Sequence, residues 1–242
     1  MTAHFESVQN AAMYPDAFDV AAPEITFERN LWPRKLGLFV RNASAAEGAA
    51  TDAALAIGLD AELDAGLEAK ALTAPVRELA VGQFGFVPRW VKSASDAKLR
   101  ATKMVNARSE TVTTSNNFRD AWLAGQRCIV PMTAFFEDDW HSGKALPTRI
   151  TRVDGKPMGV AGIWERWAKD GTEIISFTLL TVNANSHALL HRYQQSGNEK
   201  RMPVILGEGA YGAWLHTKPE KAREFMRAYS AQLLTANPVE RK

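Results

Sequence analysis

Apolar residues along this chain gather in short blocks separated by Gly, Pro, Asn and Asp, and few blocks are long enough or periodic enough for extended helices. Ile25 to Phe27 and Leu36 to Val40 read as short strands. Val76 to Phe86 reads as a longer strand that leaves through Pro88-Arg-Trp90. Arg127 to Met132, Thr148 to Val153, Val160 to Trp164, Ile174 to Val182 and Met202 to Leu206 repeat the strand signal, with Asp154-Gly155 and Asp170-Gly171 expected as hairpin turns between pairs. Helical character is confined to a short N-terminal segment turned at Tyr14-Pro15, Phe118 to Ala124 before Gly125, His187 to Gln194, Gly209 to His216, and Pro219 to Leu234. Many strands with few, non-alternating helices predict an α+β fold: a single domain over 1–242 on a curved mixed β-sheet or pseudo-barrel with peripheral helices.

One segment departs from this pattern. Residues 43–74 are Ala-rich and acidic, with Leu55, Leu59, Leu63 and Leu67 four apart and Gly48, Gly58 and Gly66 between them. The spacing predicts a helix with a narrow apolar stripe, an insertion on the surface.

Composition adds bounds. With 242 residues, 46% of them hydrophobic and seven Trp, the chain can supply a full core. Its single cysteine, Cys128, forms no internal disulfide and no Cys-based metal site, and its position in an apolar run predicts a buried thiol. No apolar run reaches transmembrane length and the start MTAHFESVQ lacks a signal-peptide layout, so a soluble, cytoplasmic protein with no membrane partner is expected. The net charge is only +2, but it is unevenly spread. Between Phe84 and Arg127 eight Lys/Arg face three acids, whereas between Ala43 and Ala80 two bases face seven acids. Cations interleaved with Phe84, Phe86 and Trp90 suit a single-stranded nucleic acid, and equally suit a solvated face over core aromatics.

The stretch from Lys103 to Trp140 concentrates the candidate chemistry. Asn106-Ala-Arg-Ser-Glu-Thr111 precedes the buried run Arg127-Cys-Ile-Val-Pro131, which ends on Phe135-Phe-Glu137. An amide, a guanidinium and carboxylates set beside a buried strand need partners, and a substrate is one source of them. These blocks resemble the core signature of the SOS-response-associated peptidase (SRAP) family. Phe84-Gly-Phe-Val-Pro-Arg-Trp90, Ala161-Gly-Ile-Trp-Glu165, Phe177-Thr-Leu-Leu-Thr181 and Arg201-Met-Pro-Val-Ile-Leu206 extend the resemblance, in order, from Phe84 to Leu206. Asn30 and Pro33 are similar to a further family turn, in which Trp32 replaces a small residue.

The resemblance implies a protein that acts at abasic sites in single-stranded or junction DNA, as a monomer and without a cofactor. In the family, a cysteine at the second position becomes N-terminal; its amine condenses with the ring-opened sugar aldehyde and its thiol closes a thiazolidine. Here Thr2 stands in that place. Its α-amine, with an unperturbed pKa of roughly 7.7–8.0, keeps a reactive neutral fraction, but a hydroxyl closes only a labile oxazolidine. The resemblance further implies catalytic roles for Thr2, Glu137, Asn106 and His191, with Gln194 the alternative to His191 if the alignment shifts by three residues. DNA contacts are implied for Asn30, Arg89, Trp90, Asn106, Arg108 and Arg201. Glu110 is expected to orient Arg108, and Asn116 stands where the family often has a DNA-contacting arginine. Asp138 and Asp139 follow Glu137 directly, and DNA tolerates three adjacent acids only if two of them face away. Two other readings stay open: a DNA-binding or structural relative that lost catalysis with its cysteine, and a metal-dependent hydrolase using His187 and His191, which lie one helical turn apart.

Overall fold

The computed structural model describes residues 2–43 and 77–239. The expected insertion over 43–74 lies outside these residues except for Ala43. In chain order the strands are β1 (Phe5–Ser7), β2 (Asn30–Leu31), β3 (Leu36–Asn42), β4 (Arg77–Phe84), β5 (Asn106–Arg108), β6 (Arg127–Asp139), β7 (Leu146–Arg152), β8 (Met158–Lys169), β9 (Thr172–Asn183), β10 (Arg201–Pro203), β11 (Ile205–Leu206) and β12 (Leu234–Pro238). The helices are short: α1 (Met13–Phe18), α2 (Ala94–Ala101), α3 (Arg119–Leu123) and α4 (Tyr211–His216).

Five strands close a ring, with β3 against β4, β4 parallel to β9, β9 against β8, β8 against β6, and β6 back onto β3 through Val40 and Ile129. Closure leaves these strands no open edge; Phe39, Phe84, Phe177 and Leu179 share one face of them, Ile129 and Ile163 the other, and all six are fully buried. The α+β expectation with a barrel-like sheet holds. Gly85 follows β4 at φ 116°, where a side chain is strained, and a Cβ there would collide with the Ala101 carbonyl of α2. The Phe84-Gly-Phe86 motif therefore needs its glycine for both backbone angle and space.

Strand β6 outruns the ring. Its first half pairs with β8 and its second half with β7, while β1 lies on its other edge with Phe5 opposite Phe135. Asp154-Gly155 is consequently no hairpin turn, because the two strands it joins flank different halves of β6. Asp170-Gly171 is one: Lys169 faces Thr172, and both turn residues have positive φ.

Other expectations give way to tertiary pairing. The segment 25–27 forms no strand and leaves Ile25 exposed; two residues of β2 take that role against β1. The N-terminal segment splits into β1 and α1, whose Pro15 sits in the first helical turn, where its missing N–H costs nothing. The 187–194 segment is a single 3₁₀ turn at Leu190–Arg192, ended by an isolated bridge from Tyr193 to Asp139. The 219–234 segment is two 3₁₀ turns, after which β12 completes the free edge of β7. No helix among the described residues is long and apolar enough to cross a membrane.

Candidate active site

The register of the sheet builds the site. Strand β1 carries the chain start onto β6, β5 lies parallel on β9, and β10 lies on β9 from Arg201 to Pro203. Thr2, Asn106, Glu137 and Arg201 thus converge although 199 positions of chain separate the first from the last.

Thr2 is buried, and its hydroxyl donates to Glu137 Oε1 at 2.6 Å. Asn106 Nδ2 donates to the Thr2 carbonyl at 2.8 Å, while Asn106 Oδ1 is buried without a hydrogen-bond partner among the described residues. An unpaired buried acceptor is costly, roughly 1–3 kcal/mol, and points to a donor supplied from elsewhere. Burial raises the Glu137 carboxyl above its usual range; positive charge at the amino terminus and bonds from Thr2 and Gln194 moderate the rise. A carboxyl held protonated closer to neutrality is suited to passing protons.

Above this cluster opens a cavity of about 530 Å³, lined by Glu137, Arg108, Gln194, Glu199 and Arg201 on its polar side and by His4, Trp32, Phe136, Trp140 and Pro147 on its apolar side. The volume suits a small group with a few convergent polar contacts.

The expected site residues divide. Thr2, Asn106 and Glu137 meet. His191 does not join them: it is exposed, outside the cavity lining, and its Nδ1 bonds the His187 carbonyl at 2.9 Å. Gln194 takes the position in the wall. It adopts φ 69°, its backbone N–H donates to the Asp138 carbonyl at 2.8 Å, and its side chain bonds the Arg201 carbonyl and Glu137. The left-handed Gln194 lies beyond the 3₁₀ turn of Leu190–Arg192, after Tyr193 has bridged to Asp139.

Arg201 is buried in an ion-pair network. It forks onto Glu110 at 2.8 and 3.0 Å, reaches Glu199 at 2.8 Å and donates to the Thr181 carbonyl at 2.7 Å. Its donors are spent on protein groups, and it reaches the cavity only as part of the wall. Glu110 consequently orients Arg201, not Arg108. Arg108 is half exposed in the cavity wall and held by Glu199 at 2.8 Å.

Arg89 and Trp90 lie off the cavity. Arg89 forks onto the buried Glu165 at 3.0 and 3.2 Å, and the Trp90 ring, 41% exposed, lies beneath Arg100 and donates to the Asn116 carbonyl at 3.2 Å. Asn30 is exposed beside the cavity and bonds His4 at 2.9 Å. Of the two extra acids, Asp139 is neutralised by Arg192 at 2.8 Å and Asp138 remains on the cavity wall. Cys128 is fully buried, and burial pushes its thiol well above the ordinary range, leaving it inert. His187 has both ring nitrogens engaged, one with the Tyr229 carbonyl at 2.7 Å and the other with the Leu190 N–H at 3.0 Å. Among the described residues no group of three or more His, Cys, Asp or Glu is arranged to hold a metal ion.

Sequence reasoning missed the apolar wall. His4 stacks between Trp32 and Phe136, with centroids 4.0 Å apart on both sides and interplanar angles of 11° and 6°. A signal existed only in the pairing: the register that sets Phe5 against Leu31 and Phe135 puts residues 32, 4 and 136 in one row.

All 242 residues match the family described as SOS response associated peptidase (SRAP). The chain is 30% identical over 164 residues to the abasic site processing protein YoaM of Bacillus subtilis, covering 65% of this chain and 66% of that one. It is 27% identical over 180 residues to the abasic site processing protein HMCES of Gallus gallus, covering 65% of this chain and 51% of that one. The matches therefore span just under two thirds of the Bacillus relative and about half of the chicken protein. A crystal structure of a Bordetella bronchiseptica protein superimposes with a TM-score of 0.81 at 35% identity, covering 98% of this chain and 99% of the other.

Proposed function

The chain belongs to the SOS response associated peptidase family, and on that premise we propose that it processes abasic sites in single-stranded DNA, engaging the ring-opened sugar aldehyde through the amine of Thr2. The observation that carries this reading is the buried contact of Thr2 with Glu137 and Asn106 beneath an open cavity. Once the chain begins at Thr2, the neutral amine attacks the aldehyde carbon and the ionised Glu137 takes the proton that the nitrogen loses. The protonated Glu137 returns it to the alkoxide oxygen, giving the carbinolamine; reprotonated from solvent, Glu137 then gives a second proton to the hydroxyl, which leaves as water as the C=N bond of the protonated imine forms. Asn106 Oδ1, otherwise unpaired, accepts from the N–H of the amine and of the protonated imine. Arg108 offers its remaining donors to the flanking phosphate.

The Thr2 hydroxyl closes an oxazolidine only reversibly, so the adduct is an imine in exchange with free aldehyde. Incubation with abasic single-stranded DNA, followed by intact-mass analysis with and without borohydride, tests this. A covalent adduct is expected only after reduction, and its absence in protein beginning at Thr2 overturns the covalent reading. A second reading, DNA binding without covalent chemistry, is favoured by one observation: Gln194, which transfers no proton at neutral pH, stands in the cavity wall where a histidine is expected. The same experiment separates the two.

A further inference from the structure

The apolar wall of the cavity is organised as a stack with one open end. Trp32 just after β2, His4 just before β1 and Phe136 on β6 form a row, each ring 4.0 Å from the next and nearly parallel to it. Strand β2 is the terminal strand of its path in the sheet, so among the described residues no further strand continues the row beyond Trp32. The indole has one face covered by His4 and is still 50% exposed, within the same cavity as Glu137 and Arg108.

We propose that the Trp32 ring receives the base of a nucleotide close to the abasic sugar, adding a fourth layer to the Trp32, His4 and Phe136 stack. Three features point to a nucleobase. Nearly coplanar rings at van der Waals separation select a flat aromatic ligand over an aliphatic one. Among the described residues, Arg108 is the one cation of the cavity wall besides the buried Arg201, and it supplies a phosphate partner for the same strand. Burial lowers the His4 pKa from its ordinary value, opposed by the Asn30 hydrogen bond and the charge of Glu6, and so favours the neutral middle ring. The column therefore stacks through dispersion and π-face contact, which tolerates any base. At the foot of the stack Phe136 directly precedes Glu137 in β6, so a strand whose abasic sugar reaches Glu137 lies within reach of this row.

The inference rests on the DNA reading above, and its test keeps the two apart. Single-stranded oligonucleotides carry a tetrahydrofuran abasic analogue with 2-aminopurine at the first or second nucleotide on either side. Binding to wild-type protein is expected to quench 2-aminopurine at one of these positions. Trp32→Ala should abolish the quenching and weaken binding by about fivefold to a hundredfold, as for loss of one stacked base, whereas Trp32→Phe should retain both in large part. Wild-type binding with no quenched position, or quenching that survives in Trp32→Ala, overturns the stacking proposal while leaving the DNA reading intact. Absence of any wild-type binding to the oligonucleotides removes both. Unchanged melting temperature in the two Trp32 variants certifies that the effect is not loss of fold.

Discussion

The Thr2 hydroxyl donates to Glu137 across 2.6 Å, a buried bond between residues 135 positions apart. Substituting the atom that makes this bond is the most direct probe of the site. Thr2→Cys supplies a sulfur where the oxygen lies and is expected to leave an adduct with abasic DNA that survives denaturation without borohydride. Gel analysis under denaturing conditions reads the result, and a Thr2→Cys protein that still needs reductant would show that the surrounding pocket does not support ring closure.

Glu137→Gln is expected to slow borohydride trapping by roughly a hundredfold or more, the typical contribution of a fully engaged proton-transfer group. Single-turnover trapping rates measure it. A rate within severalfold of wild type would assign the proton transfers elsewhere.

The same substitution has an opposite effect on stability. Burial raises the folded-state pKa of Glu137 above its unfolded value near 4.5, so the native state binds the proton more tightly. Stability is therefore lost as pH climbs from the unfolded value through the folded one, and the loss is complete above it. Glu137→Gln removes this cost. Its melting temperature should exceed that of wild type at pH 8, with a smaller difference at pH 4; a pH-independent difference would contradict the buried, proton-binding carboxyl.

Arg108 and Arg201 should separate cleanly. Arg201 is 1% exposed and holds Glu110, Glu199 and the Thr181 carbonyl, so Arg201→Ala is expected to cost about 3 kcal/mol. That is the lower end for breaking a buried pair, since both carboxylates keep partial hydration. Arg108→Ala breaks a half-exposed pair worth about 0–1 kcal/mol. It should instead weaken DNA binding and reduce the salt slope by about one. Denaturant melts and salt-titrated binding distinguish the two, and a DNA affinity unchanged in Arg108→Ala would remove the phosphate role.

Elemental analysis of protein purified without an affinity tag is expected to show no stoichiometric zinc, because His187 commits both nitrogens to backbone groups. Near-stoichiometric metal lost in His187→Ala would revive the hydrolase reading.

The sequence by itself determined the strand-rich, barrel-like fold, and the family resemblance singled out Thr2 and Glu137, which the structure brings into contact. Strands β4, β6, β8 and β9 were legible because their apolar side chains are buried, and Glu137 was legible because it ends the longest buried run. Asn106 and Thr2 followed from motif order. What only the tertiary structure decided is who meets whom across strands. The 219–234 segment carries helical composition but forms two 3₁₀ turns, and only its last residue, Leu234, enters β12 on the edge of β7. Arg201 was implied as a DNA contact by the resemblance, and only the adjacency of β10 and β9 turns it inward onto Glu110 and Thr181. The sequence pointed to His191, with Gln194 the alternative for a shifted alignment, and in the structure Gln194 lines the cavity while His191 does not. The stack of Trp32, His4 and Phe136 has no one-dimensional trace, because its members are brought into a row by register, and register is a property of paired strands.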